Sequence, residues 1–519
     1  MNPWTVLKKA AVCAAFCVSS SLVAAQEVTL RFADGSFEVT GPLMGFDGLA
    51  YRVDTRFGVL TIAAAAVICE GDCPTRADAP IIRLSGAASM GEVLVPALVD
   101  AFARSLGVVA RPVAAPSPGA VSLAIQGAGG ETLAVFEIAS GTTAQGFQAL
   151  SSGRADIVMA DRAATAAERE AALAAEIGDL AEPLRRRLVA RRPLGLVAAR
   201  DVGPVEANVE ELIGLLTGEV ESWAALGGVD RPPRVAVAKE DVSALAFRLA
   251  SLGRLSGVEP GSLNVEAVEG PEALAAFLQE VPGAVVLSPE PIFAGRSVQL
   301  SHGCVAGSAE GAEGDAYPLM VDLWFYTAAP RLPDMARAFL SFATGTEAQR
   351  VVDRAGFIDK RPRPVPLDAQ GERVSRALLA VEGREGLEQL QTLMAELRGF
   401  ERLALAFRFE PDGAKLTPTS ASEAQGLAAI LDSGRLDGRR LLFLGFTDGE
   451  GADEVNRRLA ETRAGKAIAA VEAAMATRVD RAVMEARGLG SLMPLACEVS
   501  PWGRHVNRRV EVWVGPALP

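Results

Sequence analysis

A chain of 519 residues, half of them hydrophobic, is long enough for about three domains at a prior of roughly 150 residues each. Its formal net charge of −13 argues against nucleic acid and anionic membrane as partners, since both reward a basic face. His302 and His505 are the only histidines, which leaves little for a His-based triad or a metallohydrolase site. No nucleophile–base arrangement stands out, so neither an enzyme nor a cofactor is expected.

Lys8-Lys9 precede a run of small and apolar residues from Ala10 to Ala25 that ends in Val23-Ala24-Ala25, the pattern of a cleaved signal peptide over 1–25. Val12 before Cys13 and Phe16 before Cys17 are too bulky for lipoprotein processing, so the expected mature chain starts near Gln26 in the periplasm. No later stretch reaches the roughly 20 apolar residues of a membrane helix. The mature chain then holds Cys69, Cys73, Cys304 and Cys497, an even number in an oxidising compartment. Cys69 and Cys73 read as a tight disulfide loop, leaving Cys304 and Cys497 as a long-range pair. A zinc site built from these two with His302 and His505 is the rival reading, and its spacing fits no familiar zinc motif.

Residues 26–78 alternate apolar and polar positions around Asp34-Gly35 and Asp47-Gly48, which predicts a small all-β module. From 79 to 366 strands alternate with helices: Ile81–Leu84 leads into a helix from about 91 to 105, followed by strands near 156–160, 194–198, 235–238 and 283–287. That rhythm predicts an α/β fold with largely parallel sheets, in two lobes because the span is long for one sheet. Residues 367–401 form a charged linker with Leu378, Leu379, Leu387, Leu390, Leu393 and Leu397 near helical spacing. It reads as a connecting helix packed on a neighbour, with a coiled-coil dimer as the alternative. From 402 to 519 β-α-β alternation returns, making the chain an α/β multidomain protein.

The C-terminal segment carries the most specific pattern: Phe407-Arg408-Phe409-Glu410-Pro411, Gly445-Phe446-Thr447-Asp448, Asn456, Arg458-Leu459, Arg463-Ala464 and Asn507-Arg508-Arg509-Val510-Glu511. It resembles the OmpA-like peptidoglycan-binding domain, a β/α sandwich, over about 110 residues. The resemblance implies that Asp448 and Arg463 bind the ammonium and carboxylate of diaminopimelate in the peptidoglycan stem, which suits a carboxylate and a guanidinium fork. An ion pair tying strand to helix is the plainer reading of these two residues. Asn456 and Arg508 are further candidates, equally suited to orienting the loop. Phe446 stands where the family has His, and Ala460 where it has Ser.

The central region carries Ser85-Gly86-Ala87-Ala88-Ser89-Met90-Gly91, Ser140-Gly141-Thr142-Thr143 and Asp161-Arg162, each placed between a strand and a helix, where backbone N–H groups suit an anion. With Leu216–Trp223 and Ala343–Gln349 this order resembles the phosphate-binding periplasmic proteins of ABC transporters, a two-lobed type II fold. The resemblance implies anion contacts at Ser89, Met90, Ser140 and Asp161, and a second-lobe motif at Lys239 and Ser243. There Lys239 replaces an arginine, Ala244 a glycine and Leu245 a threonine, which weakens phosphate binding. Glu240 and Asp241 would also repel an anion. For Asp161 and Lys239 a solvated cleft rim is the bland alternative.

The expected protein is therefore a periplasmic receptor for phosphate or another small oxyanion, attached to the cell wall at the outer membrane through peptidoglycan. The alternative is an envelope scaffold that contacts other envelope proteins and whose α/β region no longer binds phosphate.

Overall fold

A computed structural model describes residues 27–517 apart from 33–36, 47–49, 57, 74–78, 118, 260, 290–291, 293, 302–305, 308–316, 329–331, 382, 411–412, 414 and 477–481. The expected signal peptide 1–25, the two expected Asp-Gly turns, His302 and Cys304 lie outside the described residues. Two compact units are present, Met1–Pro80 and Ile81–Pro519.

In the first unit five strands form one antiparallel sheet, ordered Gly58–Ala63, Ala50–Thr55, Glu38–Phe46, Glu27–Phe32, Val67–Gly71. Val28, Leu30, Val39, Val53 and Ile62 are buried together, the in-facing half of the period-2 pattern. Cys69, on the last strand, is bonded to Cys73 as expected.

The second unit holds three large sheets. Seven strands make the first, in the order Arg186–Pro193, Met320–Thr327, Ile157–Ala160, Ile81–Ala87, Thr132–Gly141, Ala120–Gln126, Val109–Val113. The second runs Glu266–Val268, Arg234–Ala238, Ala284–Ser288, Gly195–Ala198, Arg296–Ser297. Expected as largely parallel, both are mixed. In the first only the strand Ile81–Ala87 pairs in parallel with its two neighbours, and the other pairs are antiparallel. Short turns, which cannot return a chain in parallel, join the strands from 109 to 141. The sequence reading missed those three strands.

The chain passes between these two sheets at Leu194 and returns near Leu319. The Leu194 amide donates to the Leu319 carbonyl at 3.0 Å, and the Tyr317 hydroxyl donates to the Leu194 carbonyl at 2.8 Å, so the two crossings are tied together. This gives two lobes joined by a paired hinge.

The third sheet is ordered Pro364–Pro366, Glu401–Phe407, Arg509–Ala517, Arg439–Phe446, Val483–Gly488. Helices Pro418–Asp432 and Asp453–Ala474 bury Leu427, Ala428, Leu431, Ala464, Ala467 and Val471 on one face. The linker, expected as one helix, is two helices, Gly371–Ala380 and Gly383–Glu396, and covers the other face. There Leu390, Leu393 and Leu397 pack with Leu442, Leu444, Phe446 and Trp513. A sheet apolar on both faces needs such a second cover.

Candidate functional site

Two polar constellations lie in the second unit, one in the C-terminal domain and one between the lobes. Asp448 follows the strand Arg439–Phe446 by two residues, in the loop that leads to the helix carrying Asn456 and Arg463. Its carboxylate accepts a hydrogen bond from Arg508 Nη1 at 2.6 Å and is mostly buried. Arg463 is half-buried, and its Nε and Nη1 are both buried without a hydrogen-bond partner. Burial pushes its pKa down, Arg508 pushes the same way, and Asp448 opposes them, so the three charges are within reach of one another. The ion pair thus forms between Asp448 and Arg508, and Arg463 is left with donors facing nothing. A half-buried guanidinium in that state calls for an acceptor, since unmade charged bonds are costly.

Asn456 is buried, and its side-chain amide donates to the Glu450 carbonyl at 3.0 Å. It therefore orients the loop after Asp448. Other motif residues also build the frame. Asn507 Oδ1 accepts from the amides of Leu495 and Ala496 at 2.8 and 3.0 Å, fixing the loop before the last helix. Glu511 is buried between Arg373 and Arg509; burial pushes its carboxyl up, and these two cations pull it far below the ordinary range. The Arg509 guanidinium stacks over the Phe446 ring at 4.1 Å. The aromatic that replaces histidine thus serves this buried charge cluster.

Between the lobes, Asp161 leaves the end of the strand Ile157–Ala160 and is 4 % exposed. Thr143, in the first turn of a helix capped by Thr142, donates to Asp161 Oδ1 at 2.6 Å and accepts from the Asp161 amide at 3.1 Å. Burial raises the Asp161 pKa; Thr143, Arg192 and Arg162 lower it and Asp241 raises it. Ser89 sits in the helical turn Ala88–Gly91, which packs against Lys239–Asp241 of the other lobe, and its hydroxyl is buried without a partner. Met90 is fully buried, so its side chain belongs to the core. Ser140, half-buried at the end of its strand, lies beside Gly91.

Lys239 is exposed and pairs with Glu269 at the surface, away from the anion contact expected of it. The interlobe cation is Arg192, 7 % exposed, whose guanidinium pairs with Asp241 while its Nε stays buried and unpartnered. Asp241, expected to repel an anion, is neutralised by this pair. Arg162 grips Glu168 with both terminal nitrogens at 2.8 and 2.7 Å and reaches Ser243 Oγ across the interface at 3.4 Å. Thr143, Arg192 and the pairing role of Asp241 were missed. The available signal was Arg191-Arg192 at the end of a strand that also opens on two arginines, just before the chain changes lobes.

Among the described residues no group of three or more His, Cys, Asp or Glu is placed to hold a metal ion. No described helix is long and apolar enough to cross a membrane. Cys497 is disulfide-bonded, and Cys304, its expected partner, lies outside the described residues.

Residues 114–347 match the model of a PBP superfamily domain, a binding-protein superfamily in keeping with the expectation of no enzyme. Two Escherichia coli (strain K12) proteins are similar to about a fifth of the chain. "Probable lipoprotein YiaD" is 31 % identical over 108 residues, and "Putative lipoprotein YfiB" is 36 % identical over 110. These matches take in 47 % and 66 % of the two relatives, so the chain spans less than two thirds of each. Among solved structures, an ABC-type phosphate transport receptor from Vibrio cholerae aligns with 53 % of this chain and 99 % of its own at 15 % identity and a TM-score of 0.40. PstS from Borrelia burgdorferi aligns with 54 % of this chain and 98 % of its own at 14 % identity and a TM-score of 0.36.

Proposed function

We propose that this chain is a periplasmic binding protein held to peptidoglycan by its C-terminal domain, with a small oxyanion such as phosphate as the ligand of its two-lobed region. The observation that carries the wall contact is Arg463. Its two buried, unpartnered guanidinium nitrogens stand within electrostatic reach of Asp448, so the site offers donors for a carboxylate and a carboxylate for an ammonium. Diaminopimelate presents both groups at one end. Losing either protein charge leaves a ligand charge desolvated and unpaired, at about 3–5 kcal/mol, against about 8 kcal/mol for a micromolar complex. The full-length protein should sediment with purified diaminopimelate-containing sacculi, and Asp448→Ala or Arg463→Ala should abolish this while the melting curve stays cooperative. Unchanged sedimentation of the double variant refutes the assignment.

In the two-lobed region Ser89 Oγ and Arg192 Nε are buried donors without acceptors, which supports an oxyanion ligand. A second reading, an envelope scaffold without a small ligand, is favoured by the Arg192–Asp241 pair, because the chain already supplies that arginine with a carboxylate. Calorimetric titration of the full-length protein with phosphate and then sulfate separates the two: heat from either supports the receptor, and none from both supports the scaffold.

A further inference from the structure

A cavity of about 720 Å³ opens between the linker helices Gly371–Ala380 and Gly383–Glu396 and the loop 489–499. Ala377, Ala380, Gln389, Arg457, Leu492 and Glu498 are among its walls. We propose that it is a second subsite of the wall-binding domain, taking the short, acidic, small-residue peptide that adjoins the diaminopimelate residue. This rests on the wall-binding reading and extends it to surface that the linker helices provide.

The cavity is next to the first site. Gly449, on its rim, directly follows Asp448, and Glu498 both lines it and feels the Asp448 charge. Arg457 has a buried Nε with no partner, and its ion pair is a 3.4 Å contact to Glu454. It lies six residues before Arg463 on the same helix, about 9 Å along the axis. The two arginines are about 120° apart around that helix, so the link to the first site runs through the loop after Asp448: a residue joined to diaminopimelate at Asp448 enters the cavity past Gly449, where Arg457 is the cation in the wall. The free carboxylate of an acidic residue suits the Arg457 guanidinium, and small side chains suit walls of Ala377, Ala380 and Leu492. Gln389 and Ser491 can pair with peptide amides. Asp453 and Glu498 also line the cavity, so it favours one acidic group placed at Arg457 over a general anion.

The walls are preformed. Arg504 Nη1 donates to the Glu498 carbonyl at 2.9 Å, the Leu489 amide to the Gly445 carbonyl at 2.9 Å, and Cys497 is disulfide-bonded. Arg487 holds Glu396 of the second linker helix at 2.5 Å. A site fixed before binding loses less freedom when filled.

Free meso-diaminopimelate and the tripeptide L-Ala-γ-D-Glu-meso-diaminopimelate, titrated calorimetrically into the full-length protein, test the proposal. The tripeptide should bind about tenfold more tightly than the free amino acid, the size of one charge-assisted contact. Ala380→Phe, which fills the cavity, and Arg457→Gln, which removes the cation, should each bring the tripeptide down to the level of the free amino acid. Ala380→Phe should leave the free amino acid's binding unchanged. Equal binding of both probes to the unmodified protein, or a tripeptide advantage that survives both variants, overturns the subsite and leaves the wall reading intact. Binding of neither probe overturns both.

Discussion

Replacing Asp241 with asparagine should loosen the empty protein and tighten its grip on an oxyanion. In the unmodified chain Arg192 and Asp241 are 8 % and 2 % exposed at their side chains, so each is the other's main compensation for lost water. Removing one charge of such a pair costs about 3–5 kcal/mol, because the remaining ion stays buried. An anion entering between the lobes then restores the pairing. Two charge-assisted bonds at about 1.5–3 kcal/mol each outweigh the desolvation of a small oxyanion by enough to raise affinity at least tenfold. Asp241→Asn should therefore melt at a lower temperature than the unmodified protein without anion, and the gap should narrow in phosphate or sulfate. Calorimetry should show tighter binding, and Arg192→Ala should remove it. Equal melting without anion, or no gain in affinity for either anion, refutes the reasoning.

Burial raises the Asp161 pKa, and a protonated carboxyl donates to an oxyanion where a carboxylate repels it, so anion affinity should fall as pH rises through that raised value. Asp161→Asn should flatten the profile in titrations over a pH series. Glu511 titrates well below its ordinary value in the fold, so its stabilisation is present above the unfolded pKa near about 4.3 and is lost as pH falls below it. Glu511→Gln should accordingly cost about 3–5 kcal/mol in denaturant melts near neutral pH, with the gap to the unmodified protein closing in acid. Non-reducing peptide mapping should recover Cys497 joined to Cys304; a free thiol at either position or bound zinc in the purified protein counts against the pairing.

What the sequence made legible follows from which signals are local. Alternation of apolar and polar residues, two Asp-Gly turns and a four-residue cysteine spacing were enough for the first unit's antiparallel sheet and its disulfide. In the central region Ile81–Ala87, Ile157–Ala160, Gly195–Ala198, Arg234–Ala238 and Ala284–Ser288 were found because each is a short apolar run, but Thr132–Gly141, Arg186–Pro193, Met320–Thr327, Val109–Val113 and Ala120–Gln126 were not. The last two are an edge hairpin with exposed and small residues, and carry neither a clean period nor a full apolar run, while arginines or an aspartate interrupt Arg186–Pro193 and Met320–Thr327. Residue roles were less legible than residue types. Lys239 was chosen by its place in a motif, and nothing in a linear string says that it turns to Glu269 while Arg192, 47 positions earlier, supplies the charge. Likewise Arg508 and Arg463 look alike in sequence. Only packing shows that one is committed to Asp448 and the other has nitrogens to spare.

The C-terminal domain touches both lobes at their hinge, which limits how the interlobe site can open. On the first lobe, Arg191 donates to Glu423 at 2.8 Å and Thr419 to Asp322 at 2.8 Å, so the helix Pro418–Asp432 is fixed to the two hinge-side strands. On the second, Trp502 stacks under Arg248 at 5.9 Å, and Arg248 in turn donates to the Pro318 and Tyr317 carbonyls of the returning crossing. Trp502, Val506 and Ala496 are buried in the same core as the residues of both lobes. A rigid rotation of one lobe about Leu194 and Leu319 keeps one set of these contacts and must shear the other. Arg191 and Arg192 are neighbours with opposite allegiances, one to the C-terminal domain and one across the lobes, so displacing either moves the backbone that positions the other. A freely opening receptor would keep its hinge clear of a third domain. Here opening has to expose Trp502 or break the Arg191–Glu423 pair, both in mostly buried surroundings, so ligand entry by wide hinge motion is opposed by the domain that would hold the protein to the wall.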